Sequence, residues 1–77
     1  MTYSKFVFKM KVLLLSCGIK DMEGVDAFIQ FSYRKYVNPN NSETEGDKKN
    51  RHQFQRIILL ITLRGKYDEY NNLINNK

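Results

Sequence analysis

The sequence predicts a small β-rich α+β domain, with antiparallel strands at about 3–16, 27–37 and 52–64 and a short C-terminal helix at about 67–76. Three observations predict it. Phe6, Phe8, Met10, Val12 and Leu14 alternate with Lys5, Val7, Lys9 and Lys11, which gives a pleated strand one apolar face and one basic face. Ile29, Phe31 and Tyr33 share one side at period two, and Gln30, Ser32 and Arg34 share the other. Ile57, Leu59, Ile61 and Leu63 alternate with Arg56, Ile58, Leu60, Thr62 and Arg64, so apolar residues fall on both faces, as in a strand covered on both sides.

The first strand ends at Gly18, which opens a connection through Cys17–Asp26 carrying Asp21, Glu23 and Asp26. The next segment has two readings. At period 3.6, Val25, Phe28, Ile29, Ser32 and Tyr36 form a stripe, with acids in front and Arg34-Lys35 behind, which suits a helix dipole. That gives an alternative β-α-β-α order with a helix at about 21–37. Aromatic and β-branched content favours the strand, and Asn38-Pro39 ends either one. Residues 38–51 hold no apolar side chain except proline and read as a mobile loop within a single domain spanning 1–77. A helix over the third segment would use Phe54, Ile57, Ile58 and Ile61, and Gly65 closes the segment either way. In the tail, Asp68 and Glu69 sit in a first turn, and Tyr70, Leu73 and Ile74 have helical spacing.

A 77-residue chain buries only about 60% of the surface that its unfolded form exposes, so its core is small. Cys17 is the only cysteine, which excludes an intrachain disulfide, and with His52 as the only histidine a structural zinc site lacks ligands. Self-association is the remaining source of stability, and Ile57, Ile58 and Leu60 of the apolar run are its expected interface.

No catalytic constellation is present, and no enzyme activity is expected. His52 lies in a polar stretch, Cys17 at an element end, and the carboxylates fall in turns and a helix start. Gly18, Gly24, Gly46 and Gly65 are isolated, so no phosphate-cradling loop forms. No cofactor or metal is expected. The run Val12–Cys17 after Lys9 and Lys11 has the look of a lipoprotein signal, but its apolar part is shorter than the ~7–15 residues of an export signal. Cytoplasmic localisation follows, and a membrane partner is not expected.

The net charge of +5 draws anionic partners. On three strands sharing a core, the outer face collects Lys5, Lys9, Lys11, Arg34, Tyr36, Arg56 and Arg64, while Lys48, Lys49 and Arg51 reach out from the loop. Cations with an interleaved ring on a sheet face suit a single strand of nucleic acid. The function expected is a non-catalytic binding protein whose basic sheet face engages nucleic acid or a nucleic-acid-handling protein. The alternative from another class is a small inhibitor or adaptor that acts by protein–protein interaction through the apolar third strand; the partners expected are nucleic acid or an acidic protein surface, with a homodimer possible through Ile57, Ile58 and Leu60.

From Met10 to Tyr33, MKVLLLSCGIKDMEGVDAFIQFSY, the chain resembles the first two strands and intervening loop of the C2 domain family. Met10, Val12 and Leu14 match its alternating apolar positions, Ser16 and Ile19 its small-x-x-Leu step, and Asp21 and Asp26 fall near its first-loop calcium aspartates. The resemblance implies a strand–loop–strand unit and binding to anionic phospholipid. Ala27-Phe28 replaces the family's Pro-Tyr, the aspartate spacing is one residue short, and Tyr67-Asp68-Glu69 stands where a later aspartate pair belongs. Two aspartates fall short of the roughly six oxygens that calcium takes, so no calcium site is expected.

Overall fold

The computed structural model describes residues 1–19, 24–40 and 43–75. Among these residues there is no strand. The chain runs through five helices: α1 (Tyr3–Ser16), α2 (Val25–Val37), α3 (Glu45–Lys49), α4 (Arg51–Leu63) and α5 (Tyr67–Asn75). The α+β expectation and its β-α-β-α alternative are therefore corrected to an all-helical globule.

The reason begins with length. Fourteen residues in a strand would reach about 46 Å, against a longest dimension of 27 Å for the molecule. Coiled as a helix they span about 21 Å and fit. Local signals agree with the coil. Thr2 caps α1, its hydroxyl accepting from the Lys5 N–H at 3.2 Å. At the other end Gly18 takes φ 75°, and its N–H bonds Leu15 O at 3.0 Å while the Ile19 N–H bonds Leu14 O at 2.9 Å. This pairing closes the last turn, with buried Leu14 and Ile19 as its apolar clasp. The same closure ends α4: Gly65 has φ 69°, and the Lys66 N–H bonds Ile61 O at 3.0 Å.

The stretch 27–37 is helical within α2, and the stripe Phe28, Ile29, Ser32 and Tyr36 is buried. Asp26 in the first turn and Arg34 and Lys35 in the last complement its dipole. Segment 52–64 forms α4 through Leu63 and buries Phe54, Ile57 and Ile61. The expected loop at 38–51 contains α3, whose capping box pairs the Thr44 hydroxyl with the Asp47 N–H and the Asp47 carboxylate with the Thr44 N–H. Asn50 ends α3 and starts α4. The tail is helical as its spacing predicts.

Helices α2 and α5 lie in the middle, α1 and α4 each pack on both, and α3 packs on α4. Rings fill the centre: Phe28 stacks on Tyr70 at 5.5 Å between centroids and meets Phe54 edge-on at 5.8 Å. The strands implied by the C2 resemblance are instead parts of α1 and α2, and Asp21 lies outside the described residues. No described helix is long and apolar enough to cross a membrane.

Candidate docking surface

Coiling redistributes the residues expected on one basic sheet face. At 3.6 residues per turn, the core side of α1 is Phe6, Met10, Leu13 and Leu14. The opposite side carries Phe8, Val12 and Leu15, which are 58%, 54% and 56% exposed. Lys5 and Lys9, one turn apart, border this apolar strip on one edge, and Lys11 borders it on the other; all three are exposed. No carboxylate occurs in α1. Among the described residues none of these lysines has an ion-pair partner. Lys9 also lines a shallow recess of about 280 Å³ with Val12, Leu13, Ser16 and, from α5, Lys66, Glu69 and Leu73.

The other expected contact residues are scattered. Arg34 turns inward to the carboxylate of Asp47, which is 5% exposed. Burial works to raise the Asp47 pKa, but the hydrogen bond from the Thr44 N–H and the Arg34 guanidinium outweigh it, and the carboxyl sits below its usual range. Tyr36 is buried against Phe6 at 5.3 Å and stacks with Tyr33, so it cannot serve as a platform for a base. Lys48 pairs with Glu45 at 3.6 Å, and Arg51 with Glu43 at 2.7 Å. The Arg51 hydrogen bond holds the Glu43 carboxyl below its usual range. Lys49, Arg56 and Arg64 are exposed on α3, on α4 and at the C-cap of α4 respectively. Only the three α1 lysines remain together.

The expected apolar interface is also rearranged. Ile57 is fully buried, and Ile58 and Leu60 are half-buried. The exposed leucines of α4 are Leu59 and Leu63, which a helix turns outward and a two-sided strand would not have singled out. Phe8, Val12 and Leu15 were missed for the same reason, since alternation puts Phe8 and Val12 on the core face. Thr2 as a cap and Gly18 as a terminator are the sequence signals that locate the helix and with it this strip.

Cys17 is buried and His52 exposed, and no three His, Cys, Asp or Glu side chains gather among the described residues. The surface can therefore make apolar contact and attract anions, and α1 offers no acid, base or nucleophile beyond its lysines and hydroxyls. Comparison with known proteins finds no matching family model, no matching curated protein and no matching solved structure.

Proposed function

We propose that this chain is a small non-catalytic binding protein that docks the outward face of α1 onto an acidic surface of another protein. The observation that carries this reading is the strip Phe8, Val12 and Leu15, each more than half exposed, bordered by Lys5, Lys9 and Lys11 with no acid on the helix. A contiguous apolar strip covered by a partner gives affinity, and the lysines at its rim give orientation and a fast encounter. The complementary partner has an apolar centre and a carboxylate rim. Nucleic acid would use the lysines but would leave the three apolar side chains in water.

The test places a photo-crosslinking benzoylphenylalanine at position 8 or 15, and at position 72 on the exposed side of α5 as control, in the cells that make the protein. A discrete acidic protein should be captured from positions 8 and 15 only. Capture should be lost in the Lys5→Glu, Lys9→Glu, Lys11→Glu triple variant. Equal capture from position 72 would overturn the assignment. So would purified chain that binds an oligonucleotide or anionic vesicles, with affinity falling steeply with salt, while no protein adduct forms.

A further inference from the structure

The outward face of α1 is narrower than its inward one. At about 100° per residue, Phe8, Val12 and Leu15 lie within an arc of about 60°, whereas the buried Phe6, Met10, Leu13 and Leu14 spread over about 100°. The broad side is covered by two helices, α2 and α5. The narrow side has the width of a seam that a single helix covers.

Its spacing is also that of a seam. Lys5, Phe8, Val12 and Leu15 follow one another at intervals of three, four and three residues, the a, d, a and d positions of two heptads. On that register Lys9 and Lys11 take the flanking e and g positions, and the other two flanking residues, Ser4 and Ser16, are uncharged. Phe6, Met10, Leu13 and Leu14 fall at b, c and f, turned into the domain.

Charge and backbone chemistry select the occupant. Glu69, which shares the shallow recess with Lys9, is paired with Lys66 at 3.3 Å. A second copy of the chain would set lysine against lysine in either orientation, because e meets g in a parallel pair, and e meets e and g meets g in an antiparallel one. Lys5 stands in the seam itself, where a facing helix can place a carboxylate at one core position and so fix the register. Within α1 the backbone N–H and C=O groups bond one another, and among the described residues there is no strand to extend. A segment laid on the strip therefore has to satisfy its own backbone bonds, as a helix does.

We propose, resting on the reading that α1 is the docking face, that its occupant is an acidic amphipathic helix of the partner protein. It seats along Phe8, Val12 and Leu15 by heptad packing, with its carboxylates against Lys5, Lys9 and Lys11.

The probe is a synthetic peptide of about three heptads with leucine at a and d, one glutamate replacing a leucine at a, and glutamate at e and g, where like charge opposes self-pairing. It is titrated into the full chain and followed by amide chemical shifts and circular dichroism. Saturable one-to-one binding should raise the helix content of the mixture and move Phe8, Lys9, Val12 and Leu15. The same peptide with lysine at e and g should bind at least about tenfold more weakly. The Lys9→Glu, Lys11→Glu variant should reverse that order although the chain keeps a net positive charge, which separates pairing along the seam from general attraction to a basic protein. Val12→Glu should abolish binding with an unchanged far-ultraviolet spectrum, since Val12 is 54% exposed.

No binding of the acidic peptide, an order that the double variant does not reverse, or shifts centred on α4 would overturn the proposal. So would tighter saturable binding to anionic vesicles than to the peptide, or dimerisation of the chain alone that Phe8→Ser abolishes. In the crosslinking experiment, adducts at positions 8 and 15 that map to a strand or loop of the captured protein would overturn the helix and leave docking through α1 standing, whereas an absence of adducts overturns both.

Discussion

Arg34 on α2 and Asp47 on α3 form an ion pair in which the carboxylate is buried and the guanidinium is about one-third exposed. The same Asp47 accepts from the Thr44 N–H at 3.1 Å, so one side chain caps α3 and ties it to α2. Replacing Asp47 by Ala removes the carboxylate half of the capping box, keeps the Thr44 hydroxyl bond to the residue-47 N–H, and leaves Arg34 facing a hole. Allowing for solvent screening of the exposed guanidinium, the cost is about 1–3 kcal/mol in urea denaturation. Arg34→Met, which keeps the packing and leaves the cap in place, should cost less.

This pair also sets an acid dependence. The Asp47 carboxyl titrates lower in the folded chain than its ordinary 3.8, so folding favours the ionised form. The contribution is fully present above the unfolded value and is lost as pH falls through the folded one. Stability measured from pH 6 down to about 2 should fall more steeply in wild type than in Asp47→Asn over the lower part of that range. Parallel curves would contradict the assignment.

Tyr70 and Ser32 share a buried hydrogen bond of 2.9 Å between hydroxyls. Burial pushes the phenol up to about 12 from 10.0, against the smaller opposing effect of the Ser32 bond. A phenol held neutral contributes stability below the unfolded pKa of 10, and that contribution is lost as pH rises towards 12. Absorbance at alkaline pH should show one of the five tyrosines ionising late, together with unfolding. Tyr70→Phe should cost about 1 kcal/mol, and adding Ser32→Ala should cost much less than a second such increment.

Gly65 offers the cleanest backbone test, because a Cβ there meets nothing within 4 Å while φ is +69°. Gly65→Ala should destabilise by about 1–2 kcal/mol through left-handed backbone strain alone. Gly46 lies inside α3 without positive φ, and its nearest contact would be the Thr44 hydroxyl at 3.7 Å. Gly46→Ala should stabilise by about 0.4–1 kcal/mol. Thermal melts of the two variants should therefore shift in opposite directions.

Phe6 and Phe8 distinguish a helix from a strand in one comparison. On a strand they share a face, whereas on α1 Phe6 is fully buried and Phe8 is 58% exposed. Phe6→Ala should cost about 3–5 kcal/mol, or prevent folding. Phe8→Ser should change stability by no more than about 0.5 kcal/mol.

The ends of the elements were legible in punctuation, whereas three of the segments between them read as strands and are helices. Thr2, Gly18, Pro39 and Gly65 mark element ends, and the stripe Phe28, Ile29, Ser32 and Tyr36 is both readable in the sequence and buried in the structure. The alternation in 3–16 misled because Phe6, Met10 and Leu14 are four residues apart, a spacing that keeps one face in a strand and nearly so in a helix. Only Phe8 and Val12 against Leu13 and Cys17 separate the two periods, and all four are apolar. The docking strip was hidden by that same ambiguity. The lysines were legible as a basic group, but Arg34, Lys48 and Arg51 were not legible as already neutralised, since their partners lie on other turns or other elements.

The sequence by itself determined one cysteine and hence no intrachain disulfide, a lysine-bearing first segment without acids, and glycines where turns must take positive φ. Tertiary structure decided which period governed each segment and which cations stayed available. Periodicity names candidate faces, but burial is set by what another element covers: α2 and α5 cover Phe6 and Met10 and leave Phe8, Val12 and Leu15 to water. Charge is likewise countable along a chain, whereas its pairing, as between Arg34 and Asp47, exists only once separate helices meet.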